Sequence, residues 1–149
     1  MKGQKGFTLP ELLLTVAITG LIASFLTLAI YQIITVTDSG NDRMIAMHEL
    51  RNAGHWLSLD GQMARTASGG NELALTLPSG SPITSITYAV VDTELHRTAD
   101  GFQMILARNI SDISFLVENQ VITMTITSSP EGRANISEQG IYKVFLRPT

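Results

Sequence analysis

The sequence predicts an α+β protein in which one long N-terminal helix, hydrophobic in its first half and amphipathic in its second, packs on an antiparallel β-sheet. Three observations carry that prediction. Between Glu11 and Asp38 lie 26 consecutive residues without a charge. From Met47 to Ala64, apolar and small residues recur at spacings of three and four. From Glu72 onward the period falls to two, in short runs separated by turn residues. A chain of 149 residues suits one globular core.

Of the 26 uncharged residues, 14 are Leu, Ile, Val or Phe. On an insertion scale these favour the bilayer by roughly 4 to 8 kcal/mol before Thr, Ser and Gln are subtracted. As a helix the run is about 39 Å long, against a hydrocarbon core of about 30 Å, so it is long enough to span. The chain then divides into a basic leader (1–6), a membrane helix (7–37) and a polar remainder (38–149). Lys2 and Lys5 precede the run while Asp38 and Asp42 follow it. The positive-inside rule therefore places the start in the cytoplasm and residues 38–149 outside. No small-x-small cleavage pattern follows the apolar run, and the run exceeds a signal core, so it is expected to stay in the mature protein.

Beyond Gly40 the stripe Met47, Leu50, Gly54, Leu57, Gly61 and Ala64 reads as a continuing helix, with His48, Arg51, Asn52, Asp60 and Arg65 off it. Gly54 and Gly61 each weaken that helix by about 1 kcal/mol relative to Ala, so packing must hold it. Ser68 to Asn71 are expected to end it. Strands are expected at 73–77, 86–91, 102–107, 113–117, 121–127 and 142–146. The linkers 78–82, Asp100-Gly101, 118–120 and 129–132 carry turn chemistry that joins consecutive strands as antiparallel hairpins. One sheet of five or six strands needs its apolar face covered, and the 47–64 stripe is the helix surface available for it.

The string Lys5-Gly6-Phe7-Thr8-Leu9-Pro10-Glu11-Leu12-Leu13 resembles the processing site of type IV prepilins and pseudopilins. The resemblance implies a pilin-like fold and cleavage by a prepilin peptidase between Gly6 and Phe7. It further implies methylation of the new Phe7 amine and a carboxylate, Glu11, at the fifth mature position. A carboxylate at the edge of a membrane segment needs a partner, and the resemblance supplies one, the Phe7 amine of a neighbouring subunit. Pro10 departs from the aliphatic residue usual there, although its missing N–H is not needed in a first helical turn. The chain also lacks the mid-helix Pro and the C-terminal disulfide of many major pilins. Its short strands, Trp56, Asp60 and the ending Tyr142 to Arg147 are more similar to a minor pseudopilin of the J type.

Other chemistry finds little support. With no Cys, the chain has no disulfide, thiolate zinc site or catalytic thiol. Thirteen acidic against ten basic residues, a net charge of −3, give no electrostatic reason to expect a nucleic-acid partner. His48 and His55 stand about 10 Å apart along a helix, too far to share one metal ion, and read as surface residues. His96 lies in the strand segment Leu95-His96-Arg97, has no acid partner at a recognisable spacing, and reads as a cross-strand or exposed residue. Met44, Met47 and Met63 read as core material, and Trp56 as a packing anchor between helix and sheet. Asn109 and Asn135, each opening an Asn-x-Ser triplet, read as loop residues. No nucleophile elbow, Walker loop or metal-binding string occurs.

The function expected from all this is assembly: a structural subunit, minor rather than major, of a type IV pilus or a type II secretion pseudopilus. No cofactor, metal or catalytic residue is expected. Its expected partners are the prepilin peptidase, other pilin or pseudopilin subunits and the inner membrane. The competing expectation is a single-span protein whose uncut N-terminus anchors an extracytoplasmic binding or enzymatic domain.

Overall fold

The computed structural model describes residues 8–131 and 135–147. Two units make up the chain, Met1–Asp38 and Ser39–Thr149. One helix, α1, runs from Leu9 to Met63 and contributes residues to both.

In the first unit α1 begins where the Thr8 carbonyl accepts hydrogen bonds from the Glu11 and Leu12 amides, each 3.1 Å. Pro10 sits in this first turn, where its backbone has no donor to lose. Every side chain from Thr8 to Thr37 is exposed. The hydroxyls of Thr15, Thr19, Ser24, Thr27, Thr35 and Thr37 each donate to the carbonyl four residues back, at 2.7 to 2.9 Å. A polar side chain satisfied by its own helix would cost little in hydrocarbon.

In the second unit α1 buries Gly54 and Gly61, as expected, beside a seam of Ala46, Leu50, Ala53, Leu57 and Asp60, continued by Ala64. Its steps alternate four and three, the spacing of a straight helical seam. The expected stripe is displaced by one residue at its start, since Met47 is exposed and Ala46 is buried. Asp60, expected off the stripe, lies at its centre. The helix also ends earlier than Ser68, at Met63, closed by the Ala64 amide on the Asp60 carbonyl at 2.9 Å.

Among the described residues eight strands follow: β1 (Thr66–Ser68), β2 (Leu73–Thr76), β3 (Ser85–Val91), β4 (Glu94–Ala99), β5 (Phe102–Ala107), β6 (Ile110–Glu118), β7 (Val121–Ser128) and β8 (Glu138–Phe145). All pair antiparallel, but in two sheets rather than one, β1-β2-β3-β4-β5 and β6-β7-β8. Beside β5, Leu95 and His96 mark a register shift; a second falls between Ile110 and Asp112 in β6, and Asn109 turns the chain at φ 58. These irregularities flank the β5–β6 junction and end the ladder there. Among the described residues an isolated antiparallel bridge pairs Gly70, just after β1, with Phe115 of β6. Strand β4 escapes an apolar count because it buries Arg97 between Leu95 and Ala99. Strand β1 escapes it because only three residues pair.

The core brings Leu50, Ala53 and Leu57 of α1 together with Leu73, Ile86, Leu95, Ile122, Met124 and Ile126. Gly54 and Gly61 admit β8. A Cβ on Gly54 would lie 2.3 Å from the Tyr142 ring, and one on Gly61 would lie 2.7 Å from a Val144 methyl. The glycines that weaken the helix are the ones that let a strand pack closely on it.

At the β4–β5 turn, Asp100 and Gly101 take φ 47 and 90, as a two-residue hairpin of the primed type requires. The Asp100 carboxylate accepts the Thr84 and Ser85 amides, both at 2.9 Å, and the Thr84 hydroxyl at 2.8 Å. The amide bond from Thr84, then that from Ser85, holds its pKa at about 2, below the ordinary 3.8. A depressed carboxylate stabilises the fold above its unfolded pKa and loses that contribution as pH falls through the folded value. Protection of the Thr84 and Ser85 amides from hydrogen exchange, corrected for intrinsic rate, should therefore fall between pH 4 and 2. Protection constant across that window would show that the carboxylate does not hold them.

Candidate functional site

Glu11 is the third residue of α1, and it is exposed. Its carboxylate lies where the first-turn amides and the helix dipole favour negative charge. The Thr8 hydroxyl donates to it at 3.5 Å, a long contact that leaves it room for another partner. No other charge occurs between Glu11 and Asp38, so in hydrocarbon this carboxylate would be the one ionic group of that apolar surface. Gly6 and Phe7, the expected cleavage and methylation positions, lie outside the described residues. The helix is long and apolar enough to cross a membrane, with no part of its most apolar stretch buried.

The second unit holds a polar cluster that sequence reasoning passed over. Asp60, only 1% exposed, receives a forked pair of hydrogen bonds from Arg97, Nε to Oδ2 at 2.6 Å and Nη2 to Oδ1 at 2.9 Å. The Tyr88 hydroxyl also donates to Oδ2. The Arg97 guanidinium stacks over Trp56, 5.1 Å from the ring centroid. Burial, then the hydrogen bond to Asp60 and its charge, push the Tyr88 phenol far above its ordinary pKa. The hydrogen bond to Asp60 likewise raises Arg97. A phenol held protonated and a guanidinium held charged move no protons near neutral pH; this is a clamp between α1, β3 and β4. The seam spacing was its signal, because Asp60 follows Leu57 by three and precedes Ala64 by four.

The remaining expectations divide. His48 and His55 are exposed. Trp56 packs against the core as an anchor, and Asn109 and Asn135 lie between strands. Met44, Met47 and Met63 are a correction: all three are exposed, because the seam turns them away from the sheets. His96 is another, since its Nε2 lies 3.4 Å from the Glu94 carboxylate. Residues two apart on a strand share a face, a spacing the helical and loop patterns did not test. Glu94 also holds Arg108, whose amide donates to Glu49 of α1 at 2.8 Å. Among the described residues no group of three or more His, Asp or Glu side chains could hold a metal ion.

Residues 1–27 match the family described as the prokaryotic N-terminal methylation motif. Searches of curated proteins and of solved structures found no match to the chain. The matched stretch includes Gly6, Phe7 and Glu11 and runs into α1. This chain therefore carries the type IV pilin and pseudopilin signal at the head of an α+β, pilin-like layout.

Proposed function

We propose that the chain is a minor structural subunit of a type IV pilus or a type II secretion pseudopilus. A prepilin peptidase cuts it between Gly6 and Phe7 and methylates the Phe7 amine. The N-terminus starts in the cytoplasm, α1 anchors the precursor in the inner membrane, and the second unit lies outside. On assembly α1 leaves the bilayer and packs with the helices of neighbouring subunits, where Glu11 neutralises a neighbour's Phe7 amine. The chain catalyses no reaction; it is the substrate of one. The minor role is supported by the small strands and the Trp56-bearing cover helix, and it is independent of the cleavage reading.

One observation carries the proposal. The methylation motif continues without a break into an uncharged helical surface, Leu12 to Thr37, every side chain of which is exposed. About 26 exposed apolar and hydroxyl residues have no place in water, so bilayer and helix bundle are the environments that accommodate them.

The test compares wild type with Glu11→Ala by intact mass, from membranes and from sheared surface filaments. Membrane protein of both should have lost residues 1–6 and gained one methyl group, and only wild type should enter filaments. A wild-type terminus that keeps Met1 beside a competent peptidase leaves the single-span anchor as the correct reading. Normal incorporation of Glu11→Ala would remove the neutralising role.

A further inference from the structure

The four edges of the two sheets are not equally protected. An unpaired edge is a template for another strand, and proteins blunt it by shortness, charge, bulges or cover. At one end of the larger sheet, β1 is three residues long. The outer side of β6 is bridged by Gly70, whose amide and carbonyl bond Phe115 at 2.9 and 3.1 Å, and β6 carries Asp112 and Glu118. Strand β8 carries Lys143 and Glu138, the latter paired with Arg43 at 2.8 Å. At the far end of β5 the register shift breaks the ladder, and Asn52 Nδ2 donates to the Leu106 carbonyl at 2.5 Å. That leaves Phe102-Gln103-Met104-Ile105, an edge segment with no charge, no Pro and no strand on its outer side among the described residues. Phe102 is 86% exposed and Met104 36%.

We infer that this bare segment of β5 is a self-pairing edge, joined antiparallel to β5 of a second copy about Gln103. The absence of charge selects the occupant. A two-fold axis through an antiparallel pair sets the residue on the axis opposite its own twin and residues equidistant from it opposite each other, so a pair of β6 strands centred on Phe115 would set Asp112 against Glu118. Strand β5 carries no charge, so no centring along it meets that repulsion. Centring on Gln103 sets Phe102 opposite Met104 of the second copy, and Met104 opposite its Phe102. Both lie on the face that carries Arg97 and Ala99, by the register with β4. Each ring then covers a thioether, a favourable contact, and the two Gln103 side chains share the other face. The two exposed apolar groups are removed from water by the same pairing that satisfies the free backbone edge.

The inference does not depend on N-terminal cleavage or filament entry, and its test reads neither. Because the chain has no Cys, a Gln103→Cys full-length protein in native membranes carries a single thiol, and opposed strand positions lie within disulfide reach. Mild oxidation should yield a chain-to-chain dimer on non-reducing gels at least tenfold above that of Leu116→Cys, an exposed position on the smaller sheet. Adding Met104→Lys or, separately, Phe102→Lys should lower the Gln103→Cys dimer about tenfold, while Trp56 emission reports that each variant is folded. Equal cross-linking at the two positions would overturn the inference. So would a Gln103→Cys dimer unaffected by either lysine, or capture of a different protein in its place.

Discussion

Asp60→Leu should lower the urea midpoint of the second unit by roughly 2 M, read from the emission of Trp56, the single Trp of the chain. The substitution keeps the branching of the side chain, with two methyl groups bulkier than the oxygens they replace, and leaves the buried Arg97 guanidinium without its counter-charge and the Tyr88 hydroxyl without its acceptor. Removing one partner of a buried pair costs about 3–5 kcal/mol, and at about 2 kcal/mol per M this sets the midpoint shift. Asp60→Leu combined with Arg97→Met should recover much of the loss, since no unpaired charge then remains. A double variant as unstable as the sum of its singles would show that the two groups are not coupled.

Gly54→Leu and Gly40→Leu make the same chemical change on one helix, with opposite expected signs. At Gly40 a Cβ meets nothing within 4 Å, so the gain in helix propensity, up to about 1 kcal/mol, should appear as stability. At Gly54 the first added carbon already falls 2.3 Å from the Tyr142 ring, and Leu adds three more. Overpacking should outweigh the propensity gain and cost about 3 kcal/mol, by forcing β8 off the helix. The same denaturation measurement checks both. A Gly54→Leu protein as stable as wild type would mean that β8 does not hold this position closely.

The long helix, the change of period at residue 72 and six of the eight strands were legible because each is a local pattern, periodic or uncharged. Glu11 was legible for the same reason, as one carboxylate at the head of a long uncharged run. The failures share a different cause. Strand β4 is legible only as the segment Leu95-His96-Arg97, because Arg97 occupies a core-facing position, which an apolar count scores as solvent. Asp60 falls off the expected stripe on the same ground, although the spacing of Leu50, Ala53 and Leu57 points to it. Each charge is acceptable only because the other is there, and they lie 37 residues apart. Met44, Met47 and Met63 fail in the opposite direction. Residue type implied burial, but the rotation of the helix against the sheets decided exposure.

The sequence by itself determined what is written in consecutive residues: the methylation motif, a helix long and apolar enough to cross a membrane, and antiparallel hairpins after it. Those properties depend on side-chain type and on spacings of two to four, which a chain carries before it folds. Only the tertiary structure decided that the strands divide into two sheets and that Asp60, Tyr88, Arg97 and Trp56 form one cluster. It also decided that Gly54 and Gly61 are seats for β8 and that, among the described residues, the uncharged segment 102–105 of β5 lies at a sheet edge. Those depend on which distant residues meet, and burial, charge pairing and close approach have no value until both partners are in place.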